Sequence, residues 1–148
     1  MDTTTKVTLQ SIMYPTMMYL SIDSVTGKLV FATSPFVWDC SVSKVDTVLH
    51  ITTAVISYTD KDGKVLSLQP DYDNPTGPVT FPAIVVKDKS QVRLKLTRQL
   101  NDDLDNIFSI NAAEYEGDLT RFNLKWQKND VTQVVFGGGD NVWLISNV

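Results

Sequence analysis

Apolar and polar residues alternate along almost the whole of this chain, and a period of two commits it to β-strands. In Gln91-Val92-Arg93-Leu94-Lys95-Leu96-Thr97-Arg98 the valine and leucines take one face and the polar residues the other. In Phe36-Val37-Trp38-Asp39-Cys40-Ser41-Val42 one side collects Phe36, Trp38, Cys40 and Val42. No stretch carries a capped helical stripe. The best candidate, Asn101 to Phe108 with Leu100, Leu104 and Ile107 at helical spacing, reads as a single turn at most. The chain is therefore all-β.

Turn chemistry divides the strands into hairpins. Asp60-Lys61-Asp62-Gly63-Lys64 separates Val55–Thr59 from Val65–Leu68, and Asp-Gly between alternating apolar runs is a strong hairpin signal. Asp23-Ser24-Val25-Thr26-Gly27-Lys28 stands likewise between Met18–Ile22 and Leu29–Phe31, and 128–132 between Phe122–Trp126 and Gln133–Phe136. Each hairpin follows an apolar strand: Val7–Ile12, Val48–Ile51, then Ile107–Ile110. Each precedes a closing strand in which Trp38, Leu94 and Trp143 occupy the matching place. The pattern predicts one domain over 1–148 built from three repeats, at about 6–46, 47–100 and 101–148. Three four-stranded repeats describe a β-trefoil, a six-stranded barrel capped by three hairpins. A β-sandwich with irregular turns is the alternative. The middle repeat is lengthened by a loop from Pro70 to Pro82 that is rich in Pro, Gly, Asp and Asn.

Charge and composition narrow the function. The 148 residues carry a net charge of −4, and the basic residues are scattered, which argues against a nucleic-acid partner. The start, Met1-Asp2-Thr3-Thr4-Thr5-Lys6, has neither the basic nor the apolar segment of a secretory signal, and no apolar run has the length of a membrane span. Cys40 is the single cysteine, so no internal disulfide forms, and Asn74 is followed by proline, so no glycosylation sequon exists there. A cytoplasmic protein without a membrane partner is expected.

No catalytic set emerges. His50 reads as a strand residue with its polar tip satisfied locally, and Cys40, between Trp38 and Val42, as a buried inert thiol. Asp71-Tyr72-Asp73-Asn74 reads as an Asx-type turn rather than a calcium loop, and Asp102, Asp103 and Asp105 as a solvated loop. Gly137-Gly138-Gly139 lacks the Gly-Lys-Ser/Thr of a phosphate cradle and reads as a turn. The expectation is a binding protein and not an enzyme, with no metal and no cofactor.

This acidic, cysteine-poor chain, ending on the tryptophan-bearing strand Asn141–Val148, resembles the β-trefoil proteins of mushrooms. It is similar to the cocaprin and mycocypin protease inhibitors among them. That resemblance implies fungal origin, a defence role, a dimer, and inhibition of papain-like cysteine proteases and pepsin-like aspartic proteases through separate surfaces. A papain-like cleft admits a narrow wedge, and Ser24, Val25, Thr26, Gly27 and Lys28 offer one: small side chains, an apolar residue for a subsite and a glycine. The second candidate surface is the long loop, with Tyr72, Asp73, Asn74 and Phe81. The alternative is a carbohydrate-binding lectin with Trp126 as its platform. The Gln-x-Trp repeat of ricin-type lectins is absent, since Phe36, Leu124 and Asn141 stand two places before the three tryptophans. A storage trefoil without a specific ligand is the plainest reading.

Overall fold

The computed structural model describes residues 3–12, 18–76, 80–87, 92–100, 106–112, 123–128, 132–138 and 142–148. Their regular elements are all strands, as the alternation requires. In chain order these are β1 (Thr3–Ser11), β2 (Tyr19–Ile22), β3 (Leu29–Ala32), β4 (Trp38–Asp46), β5 (Ile51–Thr59) and β6 (Val65–Pro70). The second half contributes β7 (Phe81–Lys87), β8 (Leu94–Arg98), β9 (Ile107–Ala112), β10 (Asn123–Lys128), β11 (Thr132–Gly137) and β12 (Trp143–Asn147). All pairings are antiparallel, and the twelve strands make one sheet.

The pairings of β1, β4, β5, β8, β9 and β12 return to their starting point. β1 pairs with β4, β4 with β5, β5 with β8, β8 with β9, β9 with β12, and β12 with β1. A ring of this kind leaves none of its own strands as an open edge. The other six strands form the hairpins β2–β3, β6–β7 and β10–β11. The strands β1, β5 and β9 each pair with the first strand of a hairpin, and β7 and β11 pair with each other.

The core lies inside the ring and under the hairpins. Val7, Leu9, Cys40, Ala54, Ile56, Leu94, Leu96 and Ile110 alternate inward along the ring strands. Trp38, Leu94 and Trp143 are each the first residue of a ring strand, and all three are fully buried. The two indoles tie ring to hairpins. Trp38 Nε1 donates to the Leu20 carbonyl at 3.1 Å, and Trp143 Nε1 to the Leu124 carbonyl at 2.9 Å. A buried indole N–H without an acceptor would be costly, so these bonds fix how each hairpin sits on its strand. At the third position leucine has no such donor.

Several local expectations are corrected. Val48, Leu49 and His50 do not open a strand; they form the turn between β4 and β5, and His50 is exposed with a φ of 58°. The turn at Asp60–Lys64 joins ring strand β5 to β6, and the hairpin belonging to the second group of strands is β6–β7. An Asp-Gly turn specifies that two flanking strands pair, and carries no information about what else either strand meets. Pro70, Phe81 and Pro82 belong to β6 and β7, so the connecting segment is 71–80. Gly137 closes strand β11 instead of forming a turn, and a Cβ there would lie 3.1 Å from Thr80 Oγ1. Residues 101–105 lie outside the described residues, and with them Leu104, the acidic cluster and most of the candidate helical turn.

Candidate functional site: a locked hairpin tip beside an aromatic cleft

Asp23 organises the tip of β2–β3. Its backbone N–H donates to the Lys28 carbonyl at 2.9 Å, and its own carbonyl accepts from Gly27 N–H at 2.8 Å. Its carboxylate Oδ1 accepts from Val25 N–H at 2.8 Å and from Thr26 N–H at 3.2 Å, and Thr26 Oγ1 accepts from Lys28 N–H at 3.3 Å. Gly27 takes a φ of 72°, which L-residues with a Cβ rarely adopt. The loop is thus held by its own short-range bonds, and it presents Val25 with 91% of its surface exposed. The Val25 and then the Thr26 N–H stabilise the carboxylate and hold Asp23 below the ordinary carboxylate range. A carboxyl lowered on folding stabilises the folded tip above its unfolded value and loses that contribution as pH falls through the lowered one.

The turn Asp60–Lys64 is a close relative in construction. Asp60 Oδ1 accepts from Asp62 and Lys64 N–H, both at 2.9 Å, Asp60 N–H donates to Lys64 carbonyl at 2.9 Å, and Gly63 has a φ of 78°. Between the two turns lies a cleft of about 560 Å³ lined by the Ser24–Gly27 tip, by Thr59–Asp62, and by Ile22, Phe36, Tyr58, Leu66 and Val85. Its floor is aromatic. Phe36 and Tyr58 meet edge-on with centroids 5.5 Å apart, and both lean on buried Trp38 at 5.0 and 5.7 Å. Burial, and then the neighbouring Asp60 charge, push the Tyr58 hydroxyl above its ordinary value, so it is a neutral donor at physiological pH. Local reading of the sequence found the tip and missed the cleft. Phe36 lies in the connection before β4 and Tyr58 within β5, and the β4–β5 pairing brings them together.

The second candidate surface is stiff for a different reason. The Tyr72 and Phe81 rings pack edge-on against each other at 5.1 Å, while Asp73 and Asn74 are exposed. Asp71 accepts from Asp73 N–H at 3.3 Å and from Asn74 Nδ2 at 2.9 Å, which is the expected Asx-type turn. Trp126 has its backbone in β10, paired with Val134; its side chain lies outside the described residues. Cys40 is buried and its thiol is pushed up by desolvation, so it is a poor nucleophile. Among the described residues no three His, Cys, Asp or Glu side chains gather as a metal site, and no helix is long and apolar enough to cross a membrane.

No protein-family model, no curated protein and no solved structure matches the chain.

Proposed function

We propose that this chain is a β-trefoil protease inhibitor that fills the cleft of papain-like cysteine proteases with the loop Asp23–Lys28, without covalent chemistry. The trefoil assignment is supported by six ring strands whose pairings close and by three hairpins attached to them. The inhibitor reading is carried by one observation: an almost fully exposed valine on a tip whose conformation is already locked by hydrogen bonds from Asp23. A pre-ordered loop loses little conformational entropy on association, so more of the contact energy is retained as affinity. The paired strands β2 and β3 flank the tip, and loops carried on a paired scaffold are common sites of recognition. The resemblance to mushroom trefoil inhibitors extends the proposal to a cytoplasmic, dimeric defence protein. It also adds pepsin-like proteases as a second target, through the surface of Tyr72, Asp73, Asn74 and Phe81.

The test is residual papain activity against rising concentrations of the protein. Dose-dependent loss of activity is expected. Full activity at roughly tens of micromolar inhibitor, a concentration at which even a weak specific complex would form, would end the proposal.

The cleft favours a second reading, that of a lectin. Half-buried aromatic side chains beside carboxylates and hydroxyls are what a sugar ring needs for stacking and hydrogen bonding. On this reading a glycan array gives specific signals that Tyr58→Ala abolishes; a blank array removes it.

A further inference from the structure

The turn at the far end of β5 repeats the construction of the proposed wedge. Asp46 Oδ1 accepts from Val48 N–H at 3.0 Å and Leu49 N–H at 2.9 Å, just as Asp23 Oδ1 accepts from Val25 and Thr26. In both turns a hydroxyl residue, Ser24 or Thr47, follows the aspartate, and a valine comes next. In both, the residue four places after the aspartate has a positive φ, 72° for Gly27 and 58° for His50. Val48 is 83% exposed, comparable with Val25, and Leu49 beside it is 61% exposed.

Two features show that this turn is held in shape. Among the described residues His50 is the one non-glycine residue with positive φ. Such a conformation costs free energy and persists where the surroundings enforce it, commonly at functional sites. The enforcement is visible: the His50 carbonyl accepts from Arg98 N–H of β8 at 3.0 Å, which pins the exit of the turn to the ring. Two adjacent apolar side chains on a pinned turn stay outside the core. Covering them on association would take apolar surface out of water.

The wedge cleft and the Asp46–His50 turn lie toward opposite ends of β5. The wedge cleft includes Tyr58–Asp62, at one end of β5, and the Asp46–His50 turn enters the other end at Ile51. The seven strand residues 51–57 lie between them, and His50 to Tyr58 spans about 26 Å at the usual rise.

We propose that Asp46–His50 is a second presenting tip, with Val48 and Leu49 as its contact residues, so that one chain engages two papain-like enzyme molecules simultaneously. The proposal rests on the inhibitor reading of the first tip.

The test is the binding stoichiometry of papain, measured by calorimetric titration of the full chain and of variants whose melting temperatures match the parent. Two enzyme molecules per chain are expected for the parent, one for Val25→Asp, one for Val48→Asp and none for the double variant. Leu49→Lys serves as a second probe of the same tip and is expected to behave as Val48→Asp does. A parent that binds one enzyme, unaffected by Val48→Asp and Leu49→Lys, overturns the second tip and leaves the first standing. One enzyme bound, lost in Val48→Asp and kept in Val25→Asp, overturns both the two-site stoichiometry and the first wedge. No binding by any form overturns both proposals.

Discussion

Replacing Trp38 with alanine is expected to lower stability by about 3–5 kcal/mol, the largest effect of any single substitution considered for this chain. The indole is fully buried where β4 leaves the hairpin, and it performs three tasks at once. It fills space inside the ring, it donates to the Leu20 carbonyl of β2, and it supports the rings of Phe36 and Tyr58. Alanine leaves a cavity that a closed antiparallel ring cannot collapse without breaking its pairings. Trp38→Phe separates the tasks: it restores most of the volume but removes the donor, and is expected to cost about 1–3 kcal/mol. At the matching position Leu94→Ala is expected to cost about 2–5 kcal/mol from packing alone, because no polar bond is lost. Urea denaturation midpoints measure all three. For a chain of this length the Trp38→Ala change corresponds to a fall in melting temperature of roughly 10 °C. A loss under about 1 kcal/mol for Trp38→Ala would show that the ring relaxes around the missing indole, contrary to the packing described.

In the Val48→Asp chain, the parent for this comparison because its second tip is silenced, Val25→Asp is expected to weaken papain inhibition by about a hundredfold, or close to 2.7 kcal/mol, while leaving the fold intact. Among the described residues Val25 is the most exposed of the large apolar ones, so the folded chain gains almost nothing from it. Its worth appears only when a partner covers it. An aspartate in its place would bring a charge into an apolar subsite and pay the desolvation penalty there. Gly27→Arg reaches the same end by another route. A Cβ at Gly27 meets no atom within 4 Å, so sterics with the rest of the chain do not oppose the change. The positive φ does oppose it, at about 1–2 kcal/mol, and the long side chain blocks close approach of the backbone to an enzyme. Val25→Asp carries no backbone strain and therefore isolates the contact. If Val25→Asp inhibits as well as the parent while Gly27→Arg does not, the glycine acts through backbone geometry and the valine is not the anchor. If both retain parent inhibition, the β2–β3 tip is not the wedge.

Much of this molecule was legible without coordinates, because the decisive forces there are local. Alternation along 91–98 places Leu94 and Leu96 inside, as found, since successive side chains of a strand point to opposite faces. The tip at Asp23–Gly27 was legible for the same reason: an aspartate able to bond its own backbone and a glycine able to take positive φ are within five residues of each other. The equivalence of Trp38, Leu94 and Trp143, and the inert character of Cys40, likewise follow from position within a strand pattern. What sequence did not determine is which strand lies beside which. Sequence pattern puts the Asp60–Gly63 turn in a capping hairpin although it joins β5 to β6, does not signal β7, and puts His50 in a strand although it closes a turn with positive φ. The aromatic cleft was invisible for the same reason. Phe36 and Tyr58 become neighbours only through the β4–β5 register that pairs Asp39 with Ser57. Each of these depends on pairing between residues distant along the chain, where burial inside a closed ring, and not local backbone preference, selects the arrangement.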